Sequence, residues 1–176
     1  MACHCAITRC ADMLCLQAGD LVEKDSLYRN EQGNAGIRKE MAGEYAMHVQ
    51  CMYRMTCGDQ TIFAQSDLYQ PSLAALATLG LQTEDAPPDD FKYDIVGNNR
   101  LDEIIQPKFA SLEDFIVRSV SINRLGDARI RFTNGFQFQI VVDVSGGQEC
   151  WRFFANQDER HLVITGEGVD RYCDEE

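Results

Sequence analysis

The 176-residue sequence predicts an α+β fold that is mainly antiparallel β-sheet, a meander of hairpins with about three short helices. Three observations carry this expectation. Residues 45–56 alternate strictly, with Tyr45, Met47, Val49, Cys51, Tyr53 and Met55 at odd positions and Ala46, His48, Gln50, Met52, Arg54 and Thr56 at even ones; a period of two marks a half-buried strand. In the second half, β-rich runs recur between the turn signals Leu-Gly-Asp, Thr-Asn-Gly, Ser-Gly-Gly and Asn-Gln-Asp-Glu. Helical signals are short and few.

In chain order, residues 5–17 predict a first helix, since Ile7, Cys10, Leu14 and Ala18 fall at near-helical spacing. Residues 18–28 are ambiguous and fit a short strand. Residues 29–44 carry glycines and mixed charge without a period, which predicts a loop. The 45–56 strand turns at Cys-Gly-Asp-Gln and returns through Thr61–Asp67. Pro71 near its first turn and Gly80 just past its end bracket a second helix. Residues 98–109 predict a third, capped by Asn98 or Asn99, burying Leu101, Ile104 and Ile105 and stopped by Pro107. Strands follow near 116–123, 128–133, 136–144, 148–154 and 161–165.

One turn can be resolved by register. A two-residue Asn134-Gly135 turn would set Phe132 against Gln137 and Ile130 against Gln139. A three-residue Thr133-Asn134-Gly135 loop pairs Phe132 with Phe136 and Ile130 with Phe138, placing every apolar residue on one face. Burial fixes register, so the longer loop is expected, with Gly135 left-handed.

A chain of this length fits one domain, residues 1–176. The acidic, proline-containing stretch 83–95 is the natural point of division between two related hairpin-containing halves. Hydrophobic residues make up 45% and charged residues 25%, ordinary values for a globular protein. No apolar run approaches the roughly 20 residues of a bilayer-spanning helix, and the N-terminus lacks the layout of a signal peptide. The expected location is cytoplasmic, with no membrane contact. With 16 basic residues against 28 acidic and a net charge of −12, the chain lacks the clustered Lys and Arg of a nucleic-acid binder. A basic protein partner would be steered toward it, and assembly through sheet edges would produce a homo-oligomer.

Eight cysteines stand at 3, 5, 10, 15, 51, 57, 150 and 173, expected as free thiols in a cytosolic chain. Cys51 and Cys150 read as small core hydrophobes. The spacing of Cys3, Cys5, Cys10 and Cys15 is irregular and lacks the paired C-x2-C arrangement of zinc sites. Neither a metal nor another cofactor is expected.

Two phrases echo one another. Gln50–Met55 and Gln148–Phe154 each join a cysteine to an aromatic-Arg-apolar triplet, Tyr53-Arg54-Met55 and Trp151-Arg152-Phe153, and each opens a hairpin. Each arginine should face away from its apolar neighbours. If covered, it needs a carboxylate, since an unpaired buried charge costs several kcal/mol; Asp67 and Glu149 are the expected partners.

The same phrases resemble a family of uncharacterised bacterial proteins. The matching positions are His48, Val49, Gln50, Cys51, Arg54, Ser66, Asp67, Asn134, Gly135, Glu149, Trp151, Arg152, His161 and Gly166. The resemblance covers roughly 44–170. It departs at Met52-Tyr53, where the family pattern has Pro-Trp, and has no counterpart for the cysteine-rich first fifteen residues. It implies no assigned activity. Some small acidic bacterial proteins of this kind look like immunity partners of toxins, an association with a class rather than with a site.

His48, Gln50, Arg54, Asp67, Glu149 and Arg152 form the candidate polar cluster. No nucleophile elbow, phosphate loop or zinc-protease motif is present, and alternation points Cys51 away from His48. The leading expectation is therefore a non-catalytic binding or regulatory protein, an immunity-type partner of a basic protein. The alternative is a small enzyme with a cleft built on His48, Arg54, Asp67 and Arg152.

Overall fold

A computed structural model of the chain describes residues 3–29, 35–110, 115–158 and 160–171, excluding the side chains of 27–29 and 171. Eleven strands are present among them: β1 (Cys5–Cys10), β2 (Met13–Arg29), β3 (Ala35–Val49), β4 (Met52–Cys57), β5 (Gln60–Ala64), β6 (Val117–Ile122), β7 (Ala128–Phe132), β8 (Phe136–Val141), β9 (Glu149–Ala155), β10 (His161–Thr165) and β11 (Gly168–Arg171). The helices are α1 (Leu73–Leu79) and α2 (Arg100–Phe109), with a 3₁₀ turn at Gln65–Tyr69. All strand pairs are antiparallel, in a six-stranded sheet ordered β1-β2-β3-β9-β10-β11 and a five-stranded sheet ordered β5-β4-β8-β7-β6. Each sheet takes strands from both sides of 83–95. No helix among the described residues is long and apolar enough to cross a membrane.

The alternation through 45–56 is present, but it is two strands rather than one. β3 ends at Val49 and β4 begins at Met52, in the other sheet. Val49, Cys51, Tyr53 and Met55 are all buried; the period survives because both sheets face one core. The partner strand bends at the same place. Tyr45–Val49 pair with Ala155–Trp151 in the first sheet, and Met52–Cys57 pair with Val141–Phe136 in the second. Gln50 and Cys51 bridge the gap on one side, residues 142–150 on the other. This is a sandwich corner, made by neighbouring strands that switch sheets together.

The expected N-terminal helix is instead the β1–β2 hairpin, turning at Ala11-Asp12 with Ile7 opposite Leu16. Cys5, Ile7, Leu14 and Leu16 are buried on the core face, a period of two that the near-helical spacing of Ile7, Cys10 and Leu14 obscured. Pairing with β3 decides between them, as tertiary context overrides a short local pattern. The expected loop over 29–44 is strand from Ala35 onward; residues 30–34 lie outside the described part. Gly43 marks a close approach, since a Cβ there would fall 2.6 Å from the Ala18 nitrogen, beside the β2 bulge. The strand through Thr61–Asp67 stops at Ala64, and β11 was not expected. The Thr133–Gly135 loop holds the three-residue register: Ile130 pairs with Phe138, and Gly135 has φ 89°.

Two helices form as read. Ser72 Oγ accepts from the Ala75 N–H at the start of α1, and Gly80 closes it at φ 69°. Asn99 Oδ1 caps α2 by accepting from the Asp102 N–H at 2.8 Å. Pro107 does not stop α2, which runs on to Phe109. Pro107 sits in the last turn, and fully buried Phe109 packs on Phe115 at 4.7 Å and edge-on to Phe63 at 5.3 Å. That burial offsets the lost backbone bond.

Asp102 also ties α2 to β1. It accepts from Arg9 Nε at 2.8 Å and Nη2 at 2.6 Å, from the Gly97 N–H at 2.8 Å and from Asn99 Nδ2 at 3.1 Å. Both side chains are almost fully buried, at 2% and 3% exposure. Burial acts to raise the Asp102 pKa, but Arg9 and the Gly97 N–H outweigh it and hold the carboxyl below its ordinary value. The pair's stabilisation is therefore present above the unfolded carboxyl pKa of about 3.9 and is lost as pH falls through the lower folded value. Asp102→Ala leaves a buried guanidinium without its carboxylate, with only the Ala11 and Asp94 carbonyls as acceptors, and should cost about 3–5 kcal/mol by urea denaturation at neutral pH. A loss below 1 kcal/mol would show that Arg9 finds water instead.

Candidate functional site

The six residues of the expected polar cluster fall in separate places. His48 and Arg152 are direct cross-strand neighbours on the outer face of the six-stranded sheet, opposite the core face that carries Val49 and Trp151. Glu149 joins them, accepting from Arg152 Nε at 2.7 Å and from its Nη2. Gln50 lies at the corner, its N–H bonded to the Cys150 carbonyl at 2.8 Å. Arg54 is exposed on the other sheet, where its Nε donates to Gln139 Oε1 at 2.5 Å. Asp67 is on the 3₁₀ turn, accepting from the Ala64 N–H at 2.8 Å and lying 3.3 Å from Arg100 Nε. The sheet switch explains the scatter, because it carries Arg54 and Asp67 away from His48 and Arg152. Of the two expected ion pairs, Arg152–Glu149 forms, half-buried, while Arg54 does not pair with Asp67.

His48 meets Phe154 edge-on at 4.9 Å, and His161 stacks on that ring at 4.6 Å. Burial, then the charges of Arg152 and Lys24, depress the His48 pKa. The cysteine opposite His48 is Cys15 rather than Cys51. Burial, with neighbouring Cys10, pushes its thiol up to about 11. Near neutral pH both groups are uncharged, the reverse of the thiolate–imidazolium state that a Cys-His nucleophile uses. The N-terminal cysteines are spread over the hairpin, Cys5 facing the core and Cys10 solvent.

A cavity of about 410 Å³ opens between the two sheets. Leu16, Ile130 and Trp151 form its buried floor; Val120, Ile122, Phe153 and Leu162 line its exposed mouth. Tyr45 stacks on Phe153 at 5.7 Å. Cys5, also in the wall, has its thiol pushed up to about 12 by burial and by Cys3, so Cys5 is a neutral thiol at neutral pH. Sequence reasoning missed the cavity. Its lining residues read as ordinary core positions in the sequence, and Phe153 and Leu162 are exposed at its mouth.

Comparison with known proteins finds no matching family model, no matching curated protein and no matching solved structure.

The depressed His48 pKa has a signed consequence. Between the folded value and about 6.5, the unfolded chain binds more protons, so stability should fall as pH drops through that window. His48→Gln should flatten the midpoint of urea unfolding between pH 7 and pH 5. An unchanged slope would place the titration elsewhere.

Proposed function

We propose that the protein is a non-catalytic binding protein whose site is the cavity between the sheets, and that its ligand is an uncharged, apolar small molecule or alkyl chain. The observation that carries this reading is the lining, apolar from Trp151 at the floor to Phe153 and Leu162 at the mouth. Its volume falls in the ~300–1,000 Å³ range of small-molecule sites. The dispersal of His48, Arg54, Asp67 and Arg152 weighs against the enzyme alternative, because acid–base work needs convergent groups. An alkyl chain gains about 0.8 kcal/mol per buried CH₂, so micromolar affinity, about −8.2 kcal/mol, needs at least ~10 methylenes. Titration with the neutral fluorophore N-phenyl-1-naphthylamine should give saturable binding at one site, displaced better by longer alkanols. Val120→Trp should fill the mouth and weaken binding at least tenfold without changing the far-ultraviolet circular dichroism. Equal affinity in the filled variant would overturn the reading.

A second observation favours a basic protein partner of the immunity type. Asp12, Asp89, Asp90 and Asp94 rim a depression that also holds Phe91 and Tyr93. Arg9 fastens its two sides by donating to the Ala11 carbonyl and, at 3.2 Å, to the Asp94 carbonyl. Carboxylates beside aromatic faces suit Lys and Arg side chains, and the net charge of −12 would speed their approach. An oligolysine peptide should bind with strong salt dependence and lose at least threefold in affinity on the double substitution Asp89→Asn, Asp90→Asn. Salt-insensitive binding, or binding unaffected by the substitutions, would refute this surface.

A further inference from the structure

The two echoing phrases meet at the corner. Cys51 lies in the two-residue crossing between β3 and β4. Cys150 is the extra residue of the β9 bulge, since Ile164 pairs with Trp151 and Thr165 with Glu149. The Gln50 N–H to Cys150 carbonyl bond draws the two crossings together. Asp143, on the longer crossing, completes the group: its carboxylate oxygen and the two Sγ atoms all lie within 4.8 Å of one another. Both cysteines are buried, at 3% and 0% exposure, whereas Asp143 is exposed.

We propose that Cys51, Cys150 and Asp143 form a binding site for a thiophilic divalent cation of the zinc class, with two thiolate ligands, one carboxylate and a fourth position open to solvent on the Asp143 side. A tetrahedral zinc with Zn–S of about 2.3 Å and Zn–O of about 2.0–2.2 Å sets its ligand atoms roughly 3.5–3.8 Å apart. The ligand atoms lie within 4.8 Å of one another, so closing the cluster to that size takes at most about 0.8 Å of movement per ligand, within reach of side-chain relaxation.

The surroundings are built to hold the loop still. The Val142 N–H donates to Asp127 Oδ1 at 2.9 Å. Gly166 lies so close to Val144 that a Cβ there would fall 2.2 Å from the Val144 carbonyl oxygen. Burial raises the Cys150 thiol's pKa, opposed by its hydrogen bond with Cys51 and then by the backbone N–H groups of Asp143 and Val144. Cys51 is raised further, by burial and then by Cys150. Without an ion both are therefore thiols at neutral pH. A bound cation displaces both protons, because a coordinating thiol is deprotonated outright. A disulfide is the competing chemistry for two neighbouring thiols, but it would make no use of the carboxylate.

Cobalt(II) is the probe. Full-length protein, reduced and stripped with chelator, should take up one cobalt per chain with a thiolate-to-metal charge-transfer band, which zinc abolishes by displacement. Cys51→Ala and Cys150→Ala should each lose the band while Cys10→Ser keeps it. Exposed Asp143→Ala tests the site without disturbing the core and should weaken cobalt at least tenfold. Absence of the band in the native chain, its persistence without Cys51 and Cys150, or unchanged affinity in Asp143→Ala would each overturn the proposal. So would thiol counting and peptide mapping that find Cys51 bonded to Cys150 in protein purified without oxidant.

Discussion

Two adjacent strands change sheets at one point, and that constraint organises the molecule. Residues 45–57 and 136–155 run antiparallel through the corner, so each sheet holds one end of the same ribbon. The sheets cannot slide or separate without breaking a ladder. Their shared core follows, with Val49, Trp151, Tyr53 and Phe138 buried on facing surfaces. The space between the sheets is unevenly filled. One end is filled by the aromatic cluster of Phe63, Phe109, Phe115 and Phe136; the other stays open as the cavity.

Charge is placed accordingly. The Arg9–Asp102 pair fastens the helical layer to the N-terminal hairpin. Removal of either member strands the other, and that penalty makes the pair decisive for geometry even where its net contribution is small. Outside, His48 is held neutral beside Arg152, and Arg152 meets Glu149. These contacts organise a surface without converging on a reacting atom.

Local chemistry was readable from the sequence and long-range geometry was not. The Thr133–Gly135 loop followed from which register keeps Ile130 opposite Phe138, a question settled within ten residues. Gly80 and Asn99 are caps whose roles are written beside the helices they bound. Pro107 misled because Phe109 is held by aromatic contacts outside the helix, among them Phe63 and Phe136 from other strands. The corner at Gln50-Cys51 was invisible since alternation passes through it unbroken. Arg9 finding Asp102, and Cys51 finding Cys150, are pairings of residues about a hundred positions apart with no local trace. Of the polar cluster, His48, Glu149 and Arg152 lie together because they sit on strands that pair, while the corner carries Arg54 and Asp67 elsewhere.

The position of β3 bears on how the chain is made. It is an inner strand of the six-stranded sheet, yet one of its two neighbours, β9, begins only at Glu149. While the chain emerges from the ribosome, β1, β2 and β3 can pair among themselves, but β3 keeps a bare edge until most of the protein has been translated. Pairing over such sequence distances is slow, and an unpaired strand edge invites association with other chains. Lys39, Glu40 and Glu44 lie in β3 just before the Tyr45–Val49 stretch that β9 covers, charges that discourage such encounters beside it.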